Sequence, residues 1–240
     1  THLKIQHIHT FQPNVQLRKN STMALFAVIG LGSFGATVAL ELTSLKHDVI
    51  GIDTEKKYVE RISDQISHAV IADATDEHVL EELNIKNCDA VVVAIGEDIE
   101  ASILCVLHLK NLGVDRILVK AKSKSHHMIL THLGITKIIH PEEDMGIRVA
   151  QSLSYPMVRR YMALNNERYI VKIEVAQHLN GIEFRHIMDH SDGVTTLLLQ
   201  RGSHVIYEVA PGILLQEHDI LIVEGPVEIL RKLSTRFAFK

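Results

Sequence analysis

The chain has 240 residues, 46% of them apolar and 22% charged, with a formal net charge of −4. That is the composition of an ordinary globular protein of one large domain, or one medium and one small. The net charge gives no electrostatic case for nucleic acid, the apolar runs fall short of a membrane span, and the absence of Trp argues against a carbohydrate or base-stacking platform.

Residues 1–22 are polar, contain Pro13 and show no clean periodicity. They lack the apolar core of a signal peptide and read as a flexible N-terminal extension. The organising stretch follows. Leu25 to Ile29 is an apolar strand, after which Gly30, Gly32 and Gly35 stand in GxGxxG spacing. An amphipathic helix leads to a second apolar strand ending in Asp53. Strand, glycine turn, helix, strand and carboxylate together form the dinucleotide-binding βαβ fingerprint. Gly30 permits the turn, Gly32 lets backbone approach a pyrophosphate, and Gly35 lets helix and strand pack closely. The intervening Leu31, Ser33 and Phe34 belong to the same phosphate-facing turn, whose N–H groups favour an anion. Asp53 can take both ribose hydroxyls, with Thr54 beside it, and would repel a 2′-phosphate. NAD or an adenine nucleotide is therefore favoured over NADP.

Residues 55–65 read as an exposed helix and His68 to Ile71 as a strand, followed by Asp73, Ala74, Thr75 and Asp76. Thr75 or Asp76 can cap the helix that runs to Leu83. Asp73 has two readings, an acceptor for the adenine amino group or a turn carboxylate. Cys88 to Ile95 is a nearly all-apolar strand, as a central parallel strand buried on both faces should be. Its end, Ala94, Ile95, Gly96 and Glu97, should flank the ligand crevice at the switch point of a doubly wound sheet. A helix over 99–111 stopped by Gly113, a strand over 116–120 ending in Lys120, a helix over 124–133 ended by Gly134 and a strand over 137–140 complete the alternation.

A helix is expected from Pro141, with Glu142, Glu143 and Asp144 suited to its dipole. It should bend at Pro156 and continue to about Leu164. Its apolar side, with Ile147, Val149 and Leu153, calls for a partner surface such as a neighbouring subunit. Asn165-Asn166-Glu167 reads as a polar joint. Beyond it come strands over 169–175, 194–201, 204–209 and 219–223, a short helix over 181–190 and a helix over 227–233, a small α+β domain. The expected organisation is thus 1–22 as an extension, 23–164 as a nucleotide-binding domain and 165–240 as a smaller one. The fold class is α/β, a doubly wound parallel Rossmann sheet with an α+β C-terminal domain. Cys88 and Cys105 read as reduced core residues. His7 with His9, and His126 with His127, lack acidic or thiol partners at metal spacing and read as surface imidazoles.

At this point the chain resembles the RCK (KTN) family of the TrkA/KtrA type, cytosolic regulatory subunits of bacterial potassium uptake systems. The matching residues are FAVIGLGSFG at 26–35, Asp53, HAVIADATDE at 68–77, VVVAIGEDIEASIL at 91–104, VKA at 119–121 and IIHPEEDMGIRVAQ at 138–151. The resemblance is close over 23–164 and looser over 165–240. It implies a Rossmann domain whose crossover helix is exchanged between subunits, and a homodimer that assembles into an octameric ring. The ring would dock on a membrane potassium transporter at the cytoplasmic face. It implies ATP or ADP in the crevice, with NAD(H) as the alternative. Gly30, Gly32 and Gly35 would cradle the phosphates and Asp53 the ribose. Asp73, Ala74 and Thr75 would lie at the base, and Glu142 near a divalent cation. Ser33 stands where the family often carries Arg, which removes one positive charge from the phosphate end. Some members take cyclic di-AMP through an Asp and an Arg before a glycine. Here Arg185 and Asp189 precede Gly193 with the charges in reverse order, so the resemblance gives cyclic di-AMP no support in this chain.

Two other functions compete with a non-catalytic gating subunit. An NAD-dependent oxidoreductase or NADH redox sensor would need a substrate domain with a proton donor or acceptor at the nicotinamide. No His–Asp or Tyr–Lys constellation in 165–240 supplies one, and His140 reads better as a packing residue. A DNA-binding redox sensor would need a basic module, which neither end of the chain offers.

Overall fold

A computed structural model describes residues 23–154, 158–164, 167–189 and 191–238. The proposed extension over 1–22, the bend at Pro156 and the joint at Asn165-Asn166 lie outside these residues. The chain divides into two compact units, the first ending at Glu142 and the second running over Glu143–Lys240.

In the first unit, six strands form one parallel sheet in the order β3-β2-β1-β4-β5-β6. They are β1 (Leu25–Ile29), β2 (Asp48–Asp53), β3 (His68–Ile71), β4 (Ala90–Val93), β5 (Ile117–Lys120) and β6 (Lys137–Ile139). The connecting helices are α1 (Ser33–Ser44), α2 (Lys56–Ile62), α3 (Glu77–Glu82), α4 (Ile99–Asn111) and α5 (Lys124–His132). The chain reverses its winding between β1 and β4, which leaves a crevice at their carboxyl ends. Apolar clusters form on both faces of the sheet. One contains Ala27, Ile29, Val91, Val93, Cys105 and Leu109, the other Val28, Leu31, Ala39, Val49 and Val92. The unbroken Ala-Val-Val-Val run of β4 reflects that two-sided burial, since every one of its residues is buried.

Polar side chains cap the starts of three helices, Asp76 being one of the two caps expected for α3. Asp76 caps α3 through His78 N–H, Asp98 caps α4 through Ala101 N–H, and Ser123 caps α5 through His126 N–H. Helix α6 (Pro141–Ser154) follows β6 and carries exposed Met145, Ile147, Val149 and Leu153. Among the described residues, no helix is long and apolar enough to cross a membrane.

The second unit is built on an antiparallel five-stranded sheet ordered β10-β9-β11-β8-β7. Its strands are β7 (Val158–Ala163), β8 (Arg168–Glu174), β9 (Thr195–Arg201), β10 (His204–Ile206) and β11 (Ile220–Pro226), with α7 (Phe184–Met188) and α8 (Val227–Ala238). The second helical piece expected up to Leu164 is therefore corrected, because residues 158–163 are a strand. Val158 pairs with Ile173 and Met162 with Ile170 of β8, and this pairing overrides a periodicity that continues from α6. The expected domain boundary at 164 and the division at 142 differ by this strand and by α6. The core of the second unit gathers Ile173, Leu199, Leu221 and Val223 with Phe184, Ile187, Leu230 and Leu233.

Candidate nucleotide site

A cleft of about 620 Å³ opens at the carboxyl ends of β1, β2, β3 and β4. Gly30, Gly32, Asp53, Thr54, Asp73, Ala74, Thr75, Ala94, Ile95, Gly96 and Glu97 line it. Residues more than sixty positions apart in sequence thus meet in one crevice, because the sheet reverses its strand order there.

The glycine turn is fixed by sterics. Gly30 has φ of +92°, and a Cβ there would lie 2.9 Å from the Ala94 carbonyl carbon. A Cβ on Gly35 would lie 1.9 Å from the Gly30 carbonyl oxygen, so α1 packs against the turn only if residue 35 has no side chain. Leu31 is fully buried and Phe34 packs in the same cluster beneath the turn, while Ser33 is exposed at the start of α1. These three residues and Gly35 shape the turn rather than the cleft wall.

Asp53 locks the turn to β2. One of its carboxylate oxygens accepts from Leu31 N–H at 2.6 Å and the other from Glu55 N–H at 2.8 Å. Each oxygen retains a lone pair that a ribose hydroxyl can use. Asp73 behaves as a turn carboxylate in this structure. Its Oδ1 accepts from Thr75 N–H at 2.9 Å and from the Thr75 hydroxyl at 2.7 Å, and Asp76, not Thr75, caps α3.

Two lysines guard the β4 side. Lys120 Nζ lies 2.5 Å from Glu142 Oε1. A Cβ on Gly96 would lie 2.9 Å from that ammonium, so Gly96 makes room for Lys120. The Lys120 hydrogen bond holds the Glu142 carboxyl below the usual carboxylate range, against an opposing effect of burial. Lys122 Nζ donates to Glu97 Oε2 at 2.8 Å and lowers that carboxyl in the same way. Among the described residues, no group of three or more His, Cys, Asp and Glu is placed to hold a metal ion. Glu142 offers a single carboxylate, already paired. A divalent cation beside it would have to draw its other oxygen ligands from elsewhere, as Mg²⁺ draws on substrate phosphates.

Sequence reasoning missed part of the lining. Tyr58 of α2 and Asp98, Glu100, Ala101 and Leu104 at the start of α4 also face the cleft. Asp98 caps α4, and Ala101 and Leu104 follow it at helical spacing on one face. Nothing in the sequence marks Tyr58. Cys88 and Cys105 are free thiols, as expected, and burial pushes the Cys105 thiol up to about 12. The neighbours His126 and His127 separate, since His126 is 1% exposed and so is not a surface imidazole.

The TrkA-N domain family matches residues 26–141. The Ktr system potassium uptake protein A of Bacillus subtilis (strain 168) is 38% identical over 201 residues, spanning 83% of this chain and 90% of that protein. Ktr system potassium uptake protein C of the same organism is 38% identical over 212 residues, spanning 88% of this chain and 96% of that protein. The crystal structure of the GsuK RCK domain superposes with a TM-score of 0.58 at 14% identity, covering 96% of this chain and 51% of that one. At that identity the likeness is one of fold.

Proposed function

Because the chain belongs to the family of Ktr system potassium uptake proteins and carries its TrkA-N domain, we propose that it is the nucleotide-binding regulatory subunit of a potassium uptake system. The observation that carries this reading is the Asp53 carboxylate held against the glycine turn at the mouth of the cleft. It supports a reading in which the Asp53 carboxylate takes the ribose and the glycine turn takes the phosphates within one cleft.

In this reading Gly30, Gly32 and Gly35 shape the phosphate cradle, with Leu31, Ser33 and Phe34 at its back. Asp53 and Thr54 hold the ribose, and Asp73, Ala74 and Thr75 face the base. Ala94, Ile95, Gly96 and Glu97 form the opposite wall, with Lys120 and Glu142 at its rim. The ligand is ATP or ADP, with NAD(H) as the alternative, and a divalent cation would come with the phosphates. No bond need break. A nucleotide that binds two conformations unequally shifts the balance between them, and a membrane transporter subunit would read that shift. The exposed apolar residues of α6 fit burial against a second copy, in line with a homodimer that assembles further into a ring. The protein would then act in the cytoplasm, at the membrane only through its transporter partner.

The test is a titration of the purified protein with ATP, ADP, AMP and NADH, with and without Mg²⁺, with oligomer mass read alongside. Tight ATP or ADP binding by a ring-sized particle is the expected result. Sustained consumption of NADH with an oxidised substrate would replace the regulatory reading with a catalytic one.

A further inference from the structure

The carboxylates of the cleft pose an electrostatic problem. Asp53, Asp73, Glu97, Asp98 and Glu100 all line it, and a nucleoside diphosphate or triphosphate adds several more negative charges. The neighbouring lysines do little to offset this, because each already has an acidic partner. Lys120 pairs with Glu142 and Lys122 with Glu97. On α2, Lys56 pairs with Glu60 at 3.3 Å and Lys57 with Glu55 at 3.6 Å.

Arg61 differs. Its Nη2 donates to the Leu31 carbonyl at 2.9 Å and lies 3.5 Å from the Gly32 carbonyl. Its guanidinium also sits 5.4 Å from the centre of the Tyr58 ring, which itself lines the cleft. Among the described residues it has no carboxylate partner. A planar cation is therefore bonded only to neutral groups, against the backbone of the glycine turn and within one residue of the start of α1. Its remaining N–H groups, in a fixed fork suited to phosphate oxygens, are not committed to any anion.

We infer that Arg61 sets the cleft's preference for nucleotides by their number of phosphates, supplying the uncompensated positive charge at the glycine turn. The inference rests on the nucleotide reading above and adds to it a residue outside the glycine fingerprint. It also gives the exposed Ser33 a context, since the charge reaches the turn from α2 instead of from α1.

The test compares wild type, Arg61→Gln and Arg61→Lys as full chains, titrated with adenosine, AMP, ADP and ATP. Glutamine can still donate to the turn carbonyls but carries no charge. For Arg61→Gln the expected loss grows with phosphate number. It stays under about twofold for adenosine and reaches about tenfold or more for ADP and ATP. Arg61→Lys should recover most of the ATP affinity. An equal loss for all four ligands would show that Arg61 only scaffolds the turn, and an unchanged series would show that it does nothing; either overturns the inference. If wild type binds none of the four, the nucleotide reading falls with it. If wild type binds and Arg61→Gln matches it, only this inference falls.

Discussion

The two units use their carboxylates differently. In the first, Asp53, Asp73 and Asp98 accept from backbone N–H groups at the carboxyl edge of the sheet. Such a carboxylate pins a turn and still has lone pairs left to accept further hydrogen bonds. In the second, carboxylates are engaged by arginine forks. Glu224 takes Arg168 Nε at 2.6 Å and Nη2 at 2.8 Å. Asp219, 1% exposed, takes Arg201 Nε at 2.9 Å and Nη2 at 2.7 Å, and Gln216 N–H at 2.9 Å as well. Those carboxylates are spent on tying strand ends together. The backbone-held acids Asp53, Asp73 and Asp98 line the cleft, whereas the arginine-held Glu224 and Asp219 tie the antiparallel sheet together.

The sharpest way to break this contrast is Gly35→Ala. The added methyl would meet the Gly30 carbonyl oxygen at 1.9 Å, a backbone atom that cannot rotate away. The first unit should lose about 3 kcal/mol or more, and nucleotide binding should vanish with the turn. Thermal unfolding and calorimetric titration read both, and a variant that melts and binds like wild type would remove the steric basis of the site. Next comes Asp219→Ala, which leaves Arg201 facing a buried gap. Removing one partner of a buried pair costs about 3 kcal/mol, and the contrast predicts that this loss leaves affinity at the glycine turn within about twofold. A matching fall in nucleotide affinity would mean that the scaffold reaches the site after all. Smaller again is Asp53→Ala, expected to weaken adenine-nucleotide binding by at least ~1 kcal/mol, since Leu31 N–H loses its acceptor and the ribose loses its own. Unchanged affinity for every adenine nucleotide would sink that role.

Most of the first unit was legible because its signals are local. Gly30, Gly32, Gly35 and Asp53 are spaced by the geometry of one βαβ unit, and the all-apolar β4 follows from two-sided burial. The same logic failed at residues 158–163. There an interrupted helical pattern was read onward, whereas pairing with β8 decides the conformation, and pairing is not written in one strand alone. The boundaries of α2, β4 and β6 came out shorter than expected, because helix and strand ends depend on which backbone groups find partners. Within the site, Asp73 had two readings, and its bonds to Thr75 supply the turn role directly. Tyr58 and Arg61 could not be found by motif. They reach the cleft and its turn only because α2 folds back beside β2, β3 and α1, a tertiary fact with no fixed spacing behind it.

The smallest expected effect concerns acid, and it too separates the units. His126 is 1% exposed on α5, with Lys122 N–H donating to its Nδ1 at 3.3 Å. That leaves the proton of the neutral ring on Nε2, which is buried without a hydrogen-bond partner among the described residues. Burial lowers its pKa, and the nearby His140 imidazole, when charged, lowers it further. The folded state therefore holds His126 neutral where the unfolded chain would protonate it. Its contribution to stability is present above the unfolded value of about 6.5 and is lost as pH falls through the lowered folded value. In the second unit, His178, His186, His204 and His218 are all exposed. Between pH 7 and pH 5 the first unit should lose stability faster than the second. His126→Asn should flatten that slope. Denaturant unfolding of wild type and variant at the two pH values gives the comparison. An equal slope in both proteins would mean that the buried ring is already protonated in the fold, against what its burial requires.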